Sequence, residues 1–231
     1  MPMATQNDQA EAEARTPLSR DRVLRAAVQL ADQGGLDGLS MRGLAQQLGV
    51  EAMSLYHHVK NKQDLLGGML DFVYSEIELP PSQRDWRSAM RSTAISFYHV
   101  LLTHPWACTL LGSVIEPSPL RLRYMNAFLG RLRSAGFSAD MTHQAYHALD
   151  SHIVGFTLWV LPYLAIAKAE PGYAESFMRG LPPDELPYLI EHIQVHMAPP
   201  RPGDVDGFEF GLDLILDGLE RMRGSVPRSG H

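Results

Sequence analysis

The stretch from Ser40 to Lys62 constrains the fold most, because it places two short apolar patterns on either side of Gly49. Leu44, Ala45 and Leu48 recur at the spacing of one helix face. The small Ala45 lets a neighbouring helix approach closely, and Gly49 can adopt a left-handed backbone that a side chain would disfavour. The spacing therefore predicts two short helices joined by a tight turn, a helix-turn-helix.

Helical periodicity also dominates the rest of the chain, and the period-two alternation of strands is absent from the sequence. The pattern predicts an all-α protein, with a three-helix head carrying the helix-turn-helix and a helical body. Ser19, Ser40 and Asn61 are the candidate N-caps of the first helices. The helices are expected over residues 19–34, 41–48, 53–59, 62–78, 86–103, 105–112, 119–135, 139–161, 184–197 and 205–223.

Proline and glycine clusters suggest the domain boundaries. Residues 1–17 lack periodicity and are expected to be a disordered tail. Residues 18–79 form the predicted head, which includes a connecting helix over 62–78. After a short joint at 80–85, residues 86–223 form the body.

Composition narrows the class of protein. The chain is 45% hydrophobic and has one cysteine, Cys108, so it needs no disulfide framework and suits a reducing compartment. Apolar runs stay shorter than the roughly 18 residues of a membrane span, so we expect a cytoplasmic protein without a membrane partner. The net charge is −6, yet residues 15–62 carry seven basic and four acidic residues. A locally basic head on an acidic body is compatible with DNA binding.

The second helix of the helix-turn-helix is expected to enter the major groove of DNA. Its exposed residues can contact base edges or phosphates, and basic residues on either side can contact the DNA backbone. The predicted DNA-binding residues are Arg42, Ala52, Met53, Ser54, Tyr56, His57, His58, Lys60 and Lys62.

Signals for an enzyme or a metal site are weak. His143 with His147, and His192 with His196, have a spacing that can bind zinc, but neither pair has an obvious third ligand. Asp150, Ser151 and His152 are adjacent, so a helix points them in different directions and they cannot form a catalytic triad. We expect no catalytic residue, no metal and no cofactor.

The body carries two further patterns, each of which could instead be ordinary core packing. A stripe on the last helix is predicted to form a dimer interface, and it comprises Phe208, Leu212, Ile215, Leu216 and Leu219. Aromatic and polar residues of the body suit an apolar pocket for a small molecule. They include Phe97, Met125, Phe128, His147, His152, Phe156 and Trp159.

The segment from Leu39 to Leu66 resembles the DNA-binding head of the TetR family of bacterial repressors. A weaker resemblance to the tetracycline-repressor subgroup continues in the body, at 96–97, 101–104, 155–158 and 208–220. The resemblance implies a homodimeric repressor that a small molecule releases from DNA. It also implies that Tyr56 and Lys62 contact phosphate and that Arg42 reads a base. Ala52 and Met53 stand where the tetracycline repressor has Gln-Pro, which implies a different operator.

The same resemblance places Thr93, Phe97 and Leu110 in the ligand pocket. Phe97 matches a pocket phenylalanine, but Thr93 replaces an asparagine, and Leu110 or Leu111 replaces the histidine that holds the drug-bound magnesium. We therefore expect a more apolar or amphipathic effector than metal-chelated tetracycline. Two alternatives remain open: a ligand-independent regulator or activator, and a small-molecule-binding helical protein with a vestigial head.

Overall fold

The structure is a computed structural model that describes residues 17–79, 85–113, 116–170, 172–197 and 206–225. Within these ranges the chain forms eleven helices and no strand, which confirms the all-α prediction. They are α1 (Arg20–Gly34), α2 (Met41–Leu48), α3 (Ala52–Leu55), α4 (Lys62–Glu76), α5 (Trp86–Thr103), α6 (Trp106–Leu111), α7 (Pro119–Ser134), α8 (Ala139–Ala169), α9 (Tyr173–Arg179), α10 (Pro187–Met197) and α11 (Gly207–Ser225).

Side-chain caps start three helices of the head where the sequence predicts. The side-chain oxygens of Ser19, Ser40 and Asn61 each accept a hydrogen bond from the backbone N–H three residues later, at 3.2, 3.0 and 2.8 Å. These caps satisfy N–H groups that have no partner inside the first helical turn.

The turn between α2 and α3 has the geometry that its sequence favours. Gly49 has φ 69° and ψ 32°, a left-handed conformation that residues with a side chain rarely adopt. Its N–H closes the end of α2, and the N–H of Val50 donates to the carbonyl of Ala45 at 3.0 Å. Leu44 and Leu55 are completely buried, so the two short helices share an apolar core.

The connecting helix α4 contacts helices of both the head and the body. It packs against α1 of the head and against α5, α6 and α7 of the body. At Gly68 a Cβ atom would lie 2.5 Å from the Leu24 side chain, so glycine permits the close approach of α1 and α4. A displacement of α4 therefore acts directly on the head.

Several helix boundaries differ from the predictions. Helix α3 ends at Leu55 rather than Val59, and α4 ends at Glu76. Helix α8 continues through Pro162 to Ala169, because a proline removes one backbone hydrogen bond without necessarily ending a helix. The seven-residue helix α9 was not predicted, because it lies between closely spaced proline and glycine residues.

By length and composition, α8 is apolar enough to cross a membrane. The sequence-based prediction differs, since it ended the helix at Leu161 and left out the apolar residues that follow. Length and composition are shared by helices of proteins without a membrane segment, and in this chain 11% of the apolar window is buried.

The chain forms two compact units, Met1–His147 and Ala148–His231. The first contains α1 to α7 and the start of α8, and the second contains the remainder of α8 and α9 to α11. Residues 1–16 of the expected tail and 80–84 of the expected joint lie outside the described residues. The division into a head at 18–79 and a body at 86–223 remains a prediction.

Candidate nucleic-acid interface and internal pocket

All nine predicted DNA-contacting residues are accessible. Six are exposed: Arg42, Met53, Tyr56, His57, Lys60 and Lys62. Ala52, Ser54 and His58 are half-buried. Met53 is 73% exposed, so its apolar side chain is available for contact with a partner. The exposed set therefore combines cations, hydrogen-bonding groups and an apolar side chain.

Only part of this set lies on a regular helix. Ala52, Met53 and Ser54 belong to α3, whereas Tyr56, His57 and His58 form a turn that continues it. The N–H groups of His58 and Val59 both donate to the carbonyl of Leu55, at 2.9 and 3.0 Å. We call residues 52–58 the recognition segment.

Arg20 of α1 fastens the end of the recognition segment to the start of α4. Its Nη1 donates to the carbonyl oxygen of His58 at 2.9 Å, and its two Nη atoms lie 3.0 and 2.7 Å from the two oxygens of Asp64. The Asp64 carboxylate also accepts from the backbone N–H of Lys60 at 2.8 Å. The hydrogen bond from Arg20 lowers the pKa of Asp64, and the same bond raises the pKa of Arg20.

A pocket of about 120 Å³ lies between α4 and the helices of the body. Leu70 and Tyr74 of α4 form one wall, so any occupant touches the connecting helix directly. Four helices and the segment before α7 contribute its lining, which comprises Leu70, Tyr74, Leu110, Leu111, Ser113, Pro117, Arg121, Tyr124, Met125 and Tyr146.

Two predicted ligand-binding residues, Leu110 and Met125, line this pocket. Phe97 lies behind the lining, with its ring 5.6 Å from Tyr74 and 6.3 Å from Tyr124. Phe128 also lies behind it, against Tyr124 and Tyr146. Thr93 is buried without lining the pocket, and its hydroxyl has no hydrogen-bond partner among the described residues.

The other four predicted ligand-binding residues lie outside the lining of this pocket. His147 is exposed and its ring contacts those of His143 and Tyr146 at the surface of α8. His152, Phe156 and Trp159 belong to the second unit. The His152 ring stacks on Phe208 at 4.9 Å and its Nε2 lies 2.9 Å from the Phe208 carbonyl oxygen. His152 and Phe156 pack α8 against Phe208 of α11, whereas Trp159 is 47% exposed and contacts Phe156 and Tyr163 of its own helix.

The predicted dimer stripe on α11 is largely covered by the chain itself. Phe208, Leu212, Leu216 and Leu219 are buried within a single protomer, and Ile215 is half-buried. Gly211 permits this packing, because a Cβ atom there would lie 2.5 Å from the His152 ring. The apolar residues of α11 that remain exposed are Phe210, Leu214 and Met222.

The pocket residues of α4 and the polar side chain of Arg121 were not predicted from the sequence. Leu70 and Tyr74 are four residues apart, a spacing that any helix packed along one face can show. Arg121 carried no signal, because an arginine on an amphipathic helix is normally solvated. Its burial depends on the packing of α7 against α4, which the sequence alone does not reveal.

A second polar cluster joins the head to the body at the other end of α4. His104, which follows α5, is 4% exposed. Its Nδ1 lies 2.7 Å from Asp32 of α1 and its Nε2 lies 3.0 Å from Glu76 of α4. The indole N–H of Trp106 donates to the same Asp32 oxygen at 2.6 Å. Head, connecting helix and body thus meet at one buried imidazole.

Comparison with known proteins agrees with this arrangement. Residues 23–69 match the family described as "Bacterial regulatory proteins, tetR family". Residues 79–223 match "Tetracyclin repressor-like, C-terminal domain". The chain therefore belongs to the TetR family of bacterial regulators, within the group that has a tetracycline-repressor-like C-terminal domain.

Individual relatives cover most of the chain. The tetracycline repressor protein class D of Escherichia coli is 40% identical over 208 residues, which cover 88% of this chain and 89% of that protein. The transcriptional repressor DrrR1 of Streptomyces coeruleorubidus is 34% identical over 88% of this chain and 77% of that protein. The structure of ActR from Streptomyces coelicolor with actinorhodin superposes with a TM-score of 0.70 at 28% identity, covering 91% of this chain and all of ActR.

Proposed function

We propose that this protein is a homodimeric repressor that binds a palindromic DNA operator and leaves it when a small aromatic molecule enters the internal pocket. The observation that carries the proposal is the exposed recognition segment, flanked by Arg42 and Lys62, in a chain of the TetR family. Tyr56 and Lys62 contact phosphate, Arg42 reads a base, and Ala52 and Met53 contribute to operator choice.

Dimerisation has physical support within the second unit. The final part of α8 exposes Leu158, Trp159, Tyr163 and Leu164, and α11 exposes Phe210, Leu214 and Met222. Apolar side chains in such number are costly in water and typically mark an interface. A second copy of the chain covers them and brings two heads to the two halves of a palindrome.

The pocket lining favours an aromatic effector. The rings of Tyr74, Tyr124 and Tyr146 surround a space of about 120 Å³. An apolar cavity of roughly 150 Å³ accepts benzene, so this pocket accommodates about one aromatic ring as it stands and two fused rings when one of its walls, such as α4, moves outward. ActR has been solved with actinorhodin, and other relatives are named tetracycline repressors, which supports a small-molecule effector here too.

The position of α4 supports a mechanical response. Its residues Leu70 and Tyr74 line the pocket, while Asp64 near its N-terminus is fastened to the recognition segment through Arg20. An occupant that fits only a displaced α4 lowers the population of the DNA-binding arrangement. We further propose that the protein acts in the cytoplasm and has no enzymatic activity, since its relatives are regulators.

Selection from random duplex DNA tests the proposal. Wild-type protein is expected to enrich one palindromic sequence. Tyr56→Ala is expected to lose binding to it, whereas Tyr173→Ala keeps binding, since both tyrosines are 45% exposed but Tyr173 lies outside the head. Failure to enrich any sequence at low salt would mean that the head is vestigial. Enrichment that no aromatic compound reverses would indicate a ligand-independent regulator.

A further inference from the structure

Arg121 on α7 is a nearly buried cation at the edge of the pocket. Its side chain is 10% exposed, and it is the one charged residue among the described residues that line the pocket. Burying a guanidinium is costly unless it is paired and hydrogen-bonded. The hydrogen-bond partners of Arg121 therefore show how much of its guanidinium the protein itself uses.

The described partners of Arg121 use only part of its guanidinium. Nε donates to Asp71 Oδ1 at 2.9 Å, and Nη2 donates to the carbonyl oxygen of Glu116 at 2.9 Å. A guanidinium has five N–H donors, so these two bonds leave donors for an oxygen inside the pocket. Tyrosine rings and aliphatic side chains surround that space, and they offer no competing charge.

Asp71 connects this cation to the head. It lies on α4, the helix that also carries Asp64, and its Oδ1 accepts a further hydrogen bond from the Ser118 hydroxyl at 2.7 Å. Asp71 and Arg121 share a polar cleft of about 450 Å³ with Arg20 and Asp64. The charge of Asp71 contributes to raising the pKa of Arg20, so the carboxylate already attracts that guanidinium.

We propose that Arg121 binds an anionic oxygen of the aromatic effector, a carboxylate or a phenolate, and that this contact draws its guanidinium away from Asp71. This inference rests on the proposed function, because it names the chemical class of the effector and the first step of its signal. It predicts an aromatic acid rather than a neutral aromatic compound.

The release of Asp71 has a defined consequence in the head. Once Arg121 has moved away, the Asp71 carboxylate attracts another nearby cation. Arg20 lines the same cleft as Asp71. When Arg20 turns toward Asp71, its hydrogen bond to the His58 carbonyl oxygen, which is 2.9 Å long in this structure, weakens. The recognition segment then loses its connection to α1 and α4, which lowers affinity for the operator.

Two probes of the same shape test the assignment. Full-length protein is titrated with 2-naphthoate and with 2-naphthamide, which differ in the charge of one substituent, and binding is followed by calorimetry. Wild-type protein is expected to bind naphthoate about tenfold more tightly or better, as a hydrogen-bonded charge pair provides. Arg121→Gln is expected to remove the preference. Arg123→Gln, an exposed site two residues further on the same helix, is expected to keep it.

Asp71→Asn distinguishes a binding role from a merely structural one. Because a neutral amide competes only weakly for the cation, this variant is expected to bind naphthoate more tightly than wild type. It is also expected to stay on the selected operator when naphthoate is added, since no carboxylate is released toward Arg20. If the Arg121–Asp71 pair only supports the fold, Arg121→Gln and Asp71→Asn should both bind naphthoate more weakly than wild type.

The outcomes distinguish a failure of the Arg121 assignment from a failure of the proposed repressor function. Equal binding of both probes by wild type, binding of neither, or a preference that survives Arg121→Gln would overturn the assignment of Arg121. Asp71→Asn that still releases the operator would overturn the signalling step. A wild-type protein that shows the naphthoate preference but binds no operator would instead refute the proposed repressor function.

Discussion

The Nδ1 atom of His104 lies 2.7 Å from Asp32 Oδ1, and this contact joins the end of α5 to the first helix of the head. Its other ring nitrogen lies 3.0 Å from Glu76 Oε2 on α4. Carboxylates only accept hydrogen bonds, so both contacts are strongest when the imidazole carries two protons. The contact of His104 with Glu76 and the bond from Arg121 to Asp71 both join the body to α4. Helix α4 is therefore the element through which body and head communicate.

His104→Phe is expected to destabilise the protein by about 1–3 kcal/mol, because a buried ring that donates no hydrogen bond leaves Asp32 and Glu76 with fewer partners. Urea unfolding measures the loss. The control is His99→Phe, which changes an exposed histidine on α5, the helix that ends just before His104, and is expected to have little effect. Equal effects of the two substitutions would show that the buried imidazole does not hold the elements together.

The Arg20–Asp64 pair predicts a loss of stability in acid. Since Arg20 holds the pKa of Asp64 below its ordinary value of 3.8, the pair stabilises the folded state fully above that value. The stabilisation is lost as the pH falls through the lowered pKa. The difference in unfolding free energy between wild type and Asp64→Asn should therefore shrink from pH 7 to pH 3. Asp37→Asn, at an exposed site, should show no such trend.

Cys108 is expected to be inert in the folded protein. Burial raises the pKa of its thiol to about 11, so only about one molecule in a thousand carries the reactive thiolate at pH 8. Iodoacetamide should modify the native protein slowly and the urea-unfolded protein quickly, as mass spectrometry can follow. Similar rates in both states would mean that α6 opens readily.

The exposed face of α11 is expected to hold the dimer together. Leu214→Glu places a charge in the proposed dimer interface, and should shift the protein to monomers in analytical ultracentrifugation. Leu122→Glu changes a leucine of similar exposure on α7 and should leave the dimer intact. A dimer that tolerates Leu214→Glu would place the interface elsewhere.

The head was predictable because local chemistry determines it. Ser40, Gly49 and Asn61 each fix a backbone conformation within a few residues of themselves, and the structure has all three in their predicted roles. The accessibility of Tyr56 and Lys62 followed from the same periodicity.

The body was predicted less well, because its details depend on contacts between distant residues. The periodicity of α11 marks an apolar stripe but does not say whether the stripe faces its own protomer or a partner. In the structure Leu212 is buried and Leu214 is exposed. Likewise, Arg121 and Tyr74 become pocket residues only through the packing of α7 against α4. Pro162 favours a helix end after Leu161, yet α8 continues to Ala169.

The salt dependence of operator binding tests the central claim, that residues 52–62 bind DNA directly. Fluorescence anisotropy with the selected operator is expected to give Lys62→Ala a lower affinity. The slope of log affinity against log salt should be shallower by about one, since one phosphate contact is lost. Lys168→Ala, an exposed lysine in the second unit, should match wild type in both quantities. An unchanged affinity and slope in Lys62→Ala would contradict the account.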